Sequence, residues 1–336
     1  MRLSVDTNAT SLDCMFLHIL GSRPIRSAVF NPGETFDSFA CGFGPDKTGP
    51  YNPPQARKKP KRPIHERKTM ELETSPGSTP LRTPVHTLGV VSYLNARPLN
   101  EFLQKRCDMR LKPAVPADLA QMLAEKHCDV ALLPVVDYWR HRDRLQLVSD
   151  ACIASDGETL TVRVFSKRPA DKIQRLHIDG DSHTSIILAQ IIWRELYDCE
   201  LELSPWDSSD HGSLDDVEAL LLIGDKVIRQ RPLGFGFEVD LGAAWKYLTG
   251  LPCVFAAWYG PRDEDFSELA KALTEARDQG QAEARRIASE AAGQHGWPEE
   301  TAIRYLCETL KYRLDDSMRA GMDRFFKFAV DHGLLR

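Results

Sequence analysis

Residues 88–99 read Leu88-Gly89-Val90-Val91-Ser92-Tyr93-Leu94-Asn95-Ala96-Arg97-Pro98-Leu99. The run from Leu88 to Leu94 has the texture of a strand, and a helix is expected after Pro98. Strand feeding helix through a short polar loop is the repeating unit of an α/β fold with parallel strands. The alternation continues down the chain. Residues 111–115 read as a strand, 116–123 as a helix with Pro116 in its first turn, and 129–134 as a buried strand ending at Pro134. Strands follow at 145–153 and 160–165.

A second cycle runs through a strand at 176–178, a helix at 184–196 with Ile187, Leu188 and Ile191 on one face, and strands at 201–203 and 219–223. A helix at 241–248 leads into a strand at 254–258. After Pro261 the pattern reads as helix throughout, with Ile303, Leu306 and Leu310, then Met322, Phe325, Phe326 and Ala329, as core stripes. Two such cycles joined by extended crossovers predict two lobes facing a cleft, residues 88–164 with 252–336 forming one and 165–251 the other. Ligands of such sheets bind beyond the carboxyl ends of the strands, here the segments after Leu94, Ile153, Ile178 and Ile223.

At 336 residues and 42% hydrophobic, the chain buries a sizeable core without disulfide staples. Its eight cysteines form no CxxC pair and read as reduced thiols of a cytoplasmic protein. A net charge of −5 argues against nucleic acid as a partner, and no apolar stretch is long enough for a membrane span. Residues 1–87 differ from the rest: they hold 11 of the 21 prolines and carry net +4, against −9 for residues 88–336. They are expected to be a disordered extension. The basic run at 57–63 reads as an interaction tail or a solvated linker, and Met70 is an internal candidate for the start.

The unusual polar residues cluster in the expected cleft segments. Ser92, Asn95 and Arg97 put a hydroxyl, an amide and a guanidinium where a carboxylate can be held; equally, they form a turn capped by Asn95 with Arg97 on the surface. The segment from Ser155 to Thr159 combines turn formers with hydroxyls. Ser182, Thr184 and Ser185 open a helix, either as anion ligands at its positive end or as ordinary caps, and His183 beside them is an acid, a base or a surface residue. Asp225 follows Gly224 at a strand end, and Asp240 precedes the 241–248 helix; each is a site residue or an N-cap. No GxxxxGK[ST], GxGxxG, HExxH or GxSxG occurs, so neither a metal nor a nucleotide cofactor is expected.

In order along the chain, Ser92-Tyr93-Leu94-Asn95 with Arg97-Pro98-Leu99, residues 129–134, Ser155-Asp156-Gly157, Leu221-Leu222-Ile223-Gly224-Asp225 and residues 240–258 resemble the chorismate dehydratases of the futalosine route to menaquinone. The resemblance spans about residues 88–260. It implies a periplasmic-binding-protein type II fold used as a cofactor-free hydro-lyase, with chorismate as substrate. The sister enzyme that releases a dihydroxynaphthoate, and a solute-binding protein of the same fold, are the alternatives. On this resemblance Asn95 and Thr161 are the candidate catalytic residues, with Thr161 where serine is expected. Ser92, Arg97, Ser155, Ser182, Thr184, Ser185 and Asp225 are the candidate substrate ligands. The base is the substrate's own enolpyruvyl carboxylate, His183 or Asp225.

Overall fold

The structure is a computed structural model that describes residues 86–336 apart from 181, 207–213 and 230–231. Of the expected extension, only His86 and Thr87 fall within it, and they open the first strand. The chain runs β1 (His86–Val91), α1 (Arg97–Asn100), β2 (Met109–Ala114), α2 (Leu119–Ala124), β3 (Val130–Pro134), α3 (Val135–Arg140) and β4 (Leu145–Ser155). It continues through β5 (Val162–Ser166), β6 (Arg175–Ile178), α4 (His183–Tyr197), β7 (Glu202–Pro205), β8 (Ala219–Ile223), α5 (Asp225–Arg229), β9 (Phe237–Asp240) and α6 (Leu241–Thr249). The last part is β10 (Cys253–Pro261), α7 (Ser267–Ala282), α8 (Ala284–His295), α9 (Glu299–Arg304), β11 (Leu310–Arg313) and α10 (Asp316–Asp331).

Two sheets form the lobes. The first has the order β11-β4-β10-β3-β1-β2 and the second β7-β6-β8-β5-β9. Their centres are the continuous apolar runs: β3 and β8 are buried at every residue, as strands covered on both faces must be. Helix α4 buries Ile187, Leu188 and Ile191, the face its spacing predicts. Among the described residues no helix is long and apolar enough to cross a membrane.

Three features depart from the sequence reading. The sheets are mixed: β1 pairs in parallel with β2 and β3, whereas β10 runs antiparallel to β3 and β4, and β5 antiparallel to β8 and β9. The chain leaves the first lobe through β4 and returns through β10, and these two strands pass in opposite directions. Val162, Val164 and Arg163 therefore lie in the second sheet, so the crossover falls before them rather than after residue 164. The C-terminal part is not wholly helical, because β11 pairs antiparallel with the outer edge of β4. Leu310 and Tyr312 are buried while Arg313 is exposed, a period-two pattern too short to separate from the helical stripe through Leu306. An open sheet edge decides the matter.

Helix packing near the first loop is tight enough to test. Gly280 on α7 lies against α1, and a methyl built on it would come within 1.8 Å of the Pro98 carbonyl oxygen. Alanine raises intrinsic helix stability by about 1 kcal/mol, but backbone cannot yield that much room, and overpacking of this kind costs about 1–3 kcal/mol. Gly280→Ala is expected to lower the thermal unfolding midpoint; an unchanged or raised midpoint would show that α1 and α7 are loosely packed.

Candidate active site

The carboxyl ends of the central strands of both lobes face a common pocket, lined by Tyr93 and Asn95 after β1, Pro134 at the end of β3, and Ile153 on β4. The crossover adds Thr159 and Thr161, the start of α4 adds Ser182 and Ser185, and Gly224 follows β8. Phe255 and Ala256 on β10 and Tyr305 and Leu310 near the C-terminus complete it. The lining offers hydroxyls and one amide and no charged side chain.

Its polar groups are ordered among themselves. The Thr161 hydroxyl lies 2.6 Å from the Tyr305 hydroxyl, and both residues are buried. The Asn95 side chain also faces that phenol, while its amide oxygen is buried without a partner. Burial raises the Tyr305 pKa above the ordinary tyrosine value, opposed in part by the Thr161 hydrogen bond, so the phenol is neutral at physiological pH. Ser182 caps α4 by accepting from the Ser185 amide, and the two serine hydroxyls stand 3.0 Å apart. The site thus presents neutral dipoles and a helix N-terminus, an arrangement suited to an anionic ligand.

Asn95, Thr161, Ser182 and Ser185 line the pocket; the other candidates are engaged elsewhere. Ser92 is solvent-exposed beyond the strand end. Arg97 pairs with Glu101, one turn along its helix, at 2.9 Å. The Ser155 hydroxyl is fully buried and donates to the Gly157 carbonyl at 3.1 Å, closing the turn that leads into the crossover. Thr184 is buried between α3 and β10, donating to Phe255 O. His183 sits 2.7 Å from Asp137, which also meets Arg140. Asp225 is not free to act as a base: it accepts from His295 Nδ1 at 2.7 Å, Trp297 Nε1 at 3.0 Å and the Leu94 amide at 3.3 Å. Thr184, His183 and Asp225 look available in one dimension because their partners lie far along the chain.

Asp240 resolves in favour of capping. Its carboxylate accepts from Gly242 and Ala243 at the start of α6, and from the Thr159 amide, the Thr159 hydroxyl and the Leu160 amide in the crossover, all within 3.0 Å. Tyr305 and Tyr93 are not among the candidates the sequence offers, and Thr159 is there only as part of the Ser155–Thr159 turn. Tyr305 sits beside the apolar stripe of its helix, and no local pattern marks it; only the fold brings it to Thr161.

Fold and site together define a two-lobed binding-protein-like molecule with its ligand pocket between the sheets. Among solved structures, protein AF1704 from Archaeoglobus fulgidus aligns with a TM-score of 0.60 at 18% identity, over 74% of this chain and 98% of that one. The alkanesulfonate-binding protein SsuA from Xanthomonas axonopodis pv. citri aligns with a TM-score of 0.55 at 11% identity, over 74% and 93%. These likenesses speak to the fold. The family model described as menaquinone biosynthesis matches residues 86–331. The chorismate dehydratase of Thermus thermophilus is 30% identical over 260 residues, 71% of this chain and 93% of that protein. The chain belongs to this menaquinone-biosynthesis family.

The Asp240 cluster generates a stability test. Asp240→Ala removes an N-cap, at roughly 1 kcal/mol, and leaves the Thr159 and Leu160 amides without their acceptor, at about 1–3 kcal/mol each. The urea midpoint is expected to drop accordingly, with Asp240→Asn intermediate because an amide oxygen still accepts. A midpoint equal to the parent's would mean that the crossover is held by something else.

Proposed function

We propose that this protein is a chorismate dehydratase of the futalosine route, converting chorismate to 3-(1-carboxyvinyloxy)benzoate and water in the cytoplasm. The observation that carries the reading is the neutral hydroxyl and amide lining gathered around the buried, unpartnered Asn95 amide oxygen. The name of the Thermus thermophilus relative supports it.

The chemistry suits such a lining. The ring carboxylate of chorismate is conjugated through C1=C2, which makes the C3 hydrogen vinylogously acidic. Its removal gives a delocalised enolate, and loss of the C4 hydroxyl then aromatises the ring, which supplies the driving force. The overall change is redox-neutral, so it needs no hydride or electron acceptor. The protein holds two carboxylates and orients the ring. Ser182 and Ser185 with the start of α4 bind a carboxylate, and Asn95 orients the reacting ring and its hydroxyl. With Asp225 and His183 committed to other partners, the enolpyruvyl carboxylate near C3 is the base.

Incubation of the purified protein with chorismate is expected to yield the aromatic ether, detected by chromatography and mass. Chorismate bound but unchanged would replace this reading with a ligand-binding one. Asn95→Ala is expected to lower kcat strongly, and Ser182→Ala to raise KM more than it lowers kcat. Each loss corresponds to about 1.5–3 kcal/mol, or roughly 10- to 150-fold in kcat/KM. An Asn95→Ala variant that is folded by circular dichroism yet turns over at the parental rate would move the active site elsewhere.

A further inference from the structure

Loss of the C4 hydroxyl as water needs a proton donor. Tyr305 meets the requirements of one. It lines the pocket, its hydroxyl stands between Thr161 and Asn95, and it opens a π-helical turn, Tyr305–Thr309, a local distortion common at functional sites. Its ring is not merely packed. Trp297 stacks on it with centroids 4.8 Å apart and planes inclined by 23°, and the Trp297 indole N–H donates to Asp225 at 3.0 Å. The same carboxylate accepts the Leu94 amide, adjacent to Asn95. One buried anion thus fixes the backbone beside Asn95 and, through Trp297, the face of Tyr305.

We propose that Tyr305 donates the proton that releases the C4 oxygen as water, and that Asp225 and Trp297 are positioning residues that aim it. The inference rests on the dehydratase reading. As the C4–O bond breaks with its electron pair, the Tyr305 O–H bond passes its proton to that oxygen. The phenolate accepts a hydrogen bond from Thr161 and then regains a proton from the carboxylic acid formed when the enolpyruvyl carboxylate took the C3 hydrogen. The sum is loss of one water, with the protein returned to its starting state. Burial disfavours the phenolate, and the Thr161 hydrogen bond offsets part of that cost.

A double-mutant cycle in the full chain tests this. Tyr305→Phe keeps the stacked ring and removes the acid; kcat is expected to fall by about 10²- to 10⁴-fold. Trp297→Phe keeps an aromatic ring but loses the donor to Asp225; kcat is expected to fall by roughly 10- to 100-fold with KM little changed, as misplacement of a reacting group does. If Trp297 acts through the phenol, the double variant is no slower than Tyr305→Phe alone. Multiplicative losses, or a Tyr305→Phe protein at the parental rate, would overturn the proposal. A second arm does not depend on chorismate: 3-fluorotyrosine placed at position 305 gives a fluorine resonance expected to shift in Trp297→Phe and in Asp225→Asn. Absence of turnover by the parent protein would remove the dehydratase reading, and the fluorine arm would still decide the positioning: a shift supports it and an unchanged resonance refutes it.

Discussion

The carboxylate of Asp240 is the constraint on which the rest of the structure leans. The chain passes from the first sheet to the second in the few residues between Ser155 and Val162, and an extended crossover of that length has no ladder to satisfy its amides. Asp240 supplies the acceptors: the Thr159 amide and hydroxyl and the Leu160 amide all reach it, as do the first free amides of α6. Leu160 adopts φ of 62°, a left-handed conformation that costs a non-glycine residue about 1–2 kcal/mol and needs such compensation. With that turn held, Thr161 stands just before β5 with its hydroxyl toward Tyr305. Gly242 allows the approach, since a methyl there would lie 2.4 Å from the Gly157 carbonyl oxygen.

The charges around the pocket are settled before any ligand arrives. Arg97 is paired with Glu101, Asp225 with His295, and Lys226 with Asp179. Of these groups Asp225 also fixes backbone: the 92–97 loop is held by its carboxylate through the Leu94 amide, and separately by the Tyr312 hydroxyl, which donates to Asn95 O at 3.1 Å. What faces the ligand is then a set of oriented neutral dipoles. Such groups stabilise a carboxylate by direction rather than by net charge, and directed dipoles that need not reorganise are the effective kind when charge moves during a reaction.

The legible part of this molecule is its apolar pattern. Residues 130–134 and 219–223 announce buried strands by composition, the face of α4 by spacing, and the turn at Ser182 by residue type. Asn95 is legible from its place after the first strand, Ser182 and Ser185 from theirs at the start of a helix, and Thr161 only through the family resemblance; all four line the pocket. What stayed hidden depends on partners distant in sequence. Asp225 is a candidate ligand in one dimension because nothing near it competes for its oxygens, and a tied-down anchor in three because His295 and Trp297 fold onto it. β11 exists because β4 has a free edge, and β9 carries exposed Phe237 and Glu238 that give no apolar alternation to detect.

The contacts that build the pocket join residues far apart in the chain. Leu94 meets Asp225 across 131 residues, Thr161 meets Tyr305 across 144, and Asn95 meets Tyr312 across 217. Loop closure grows only as the logarithm of length, about 0.6 kcal/mol per doubling, so such distances cost little once the lobes have formed. Two of these bonds, to Thr161 and to Asn95, also require the segment from α8 to β11 to be docked, since it supplies Tyr305 and Tyr312. The C-terminal part therefore does more than cover the first sheet. By delivering Trp297, Tyr305 and Tyr312 to opposite sides of the Asn95 loop, it makes the pocket's geometry contingent on the whole described fold, which keeps donors at fixed distances where a loop site would drift.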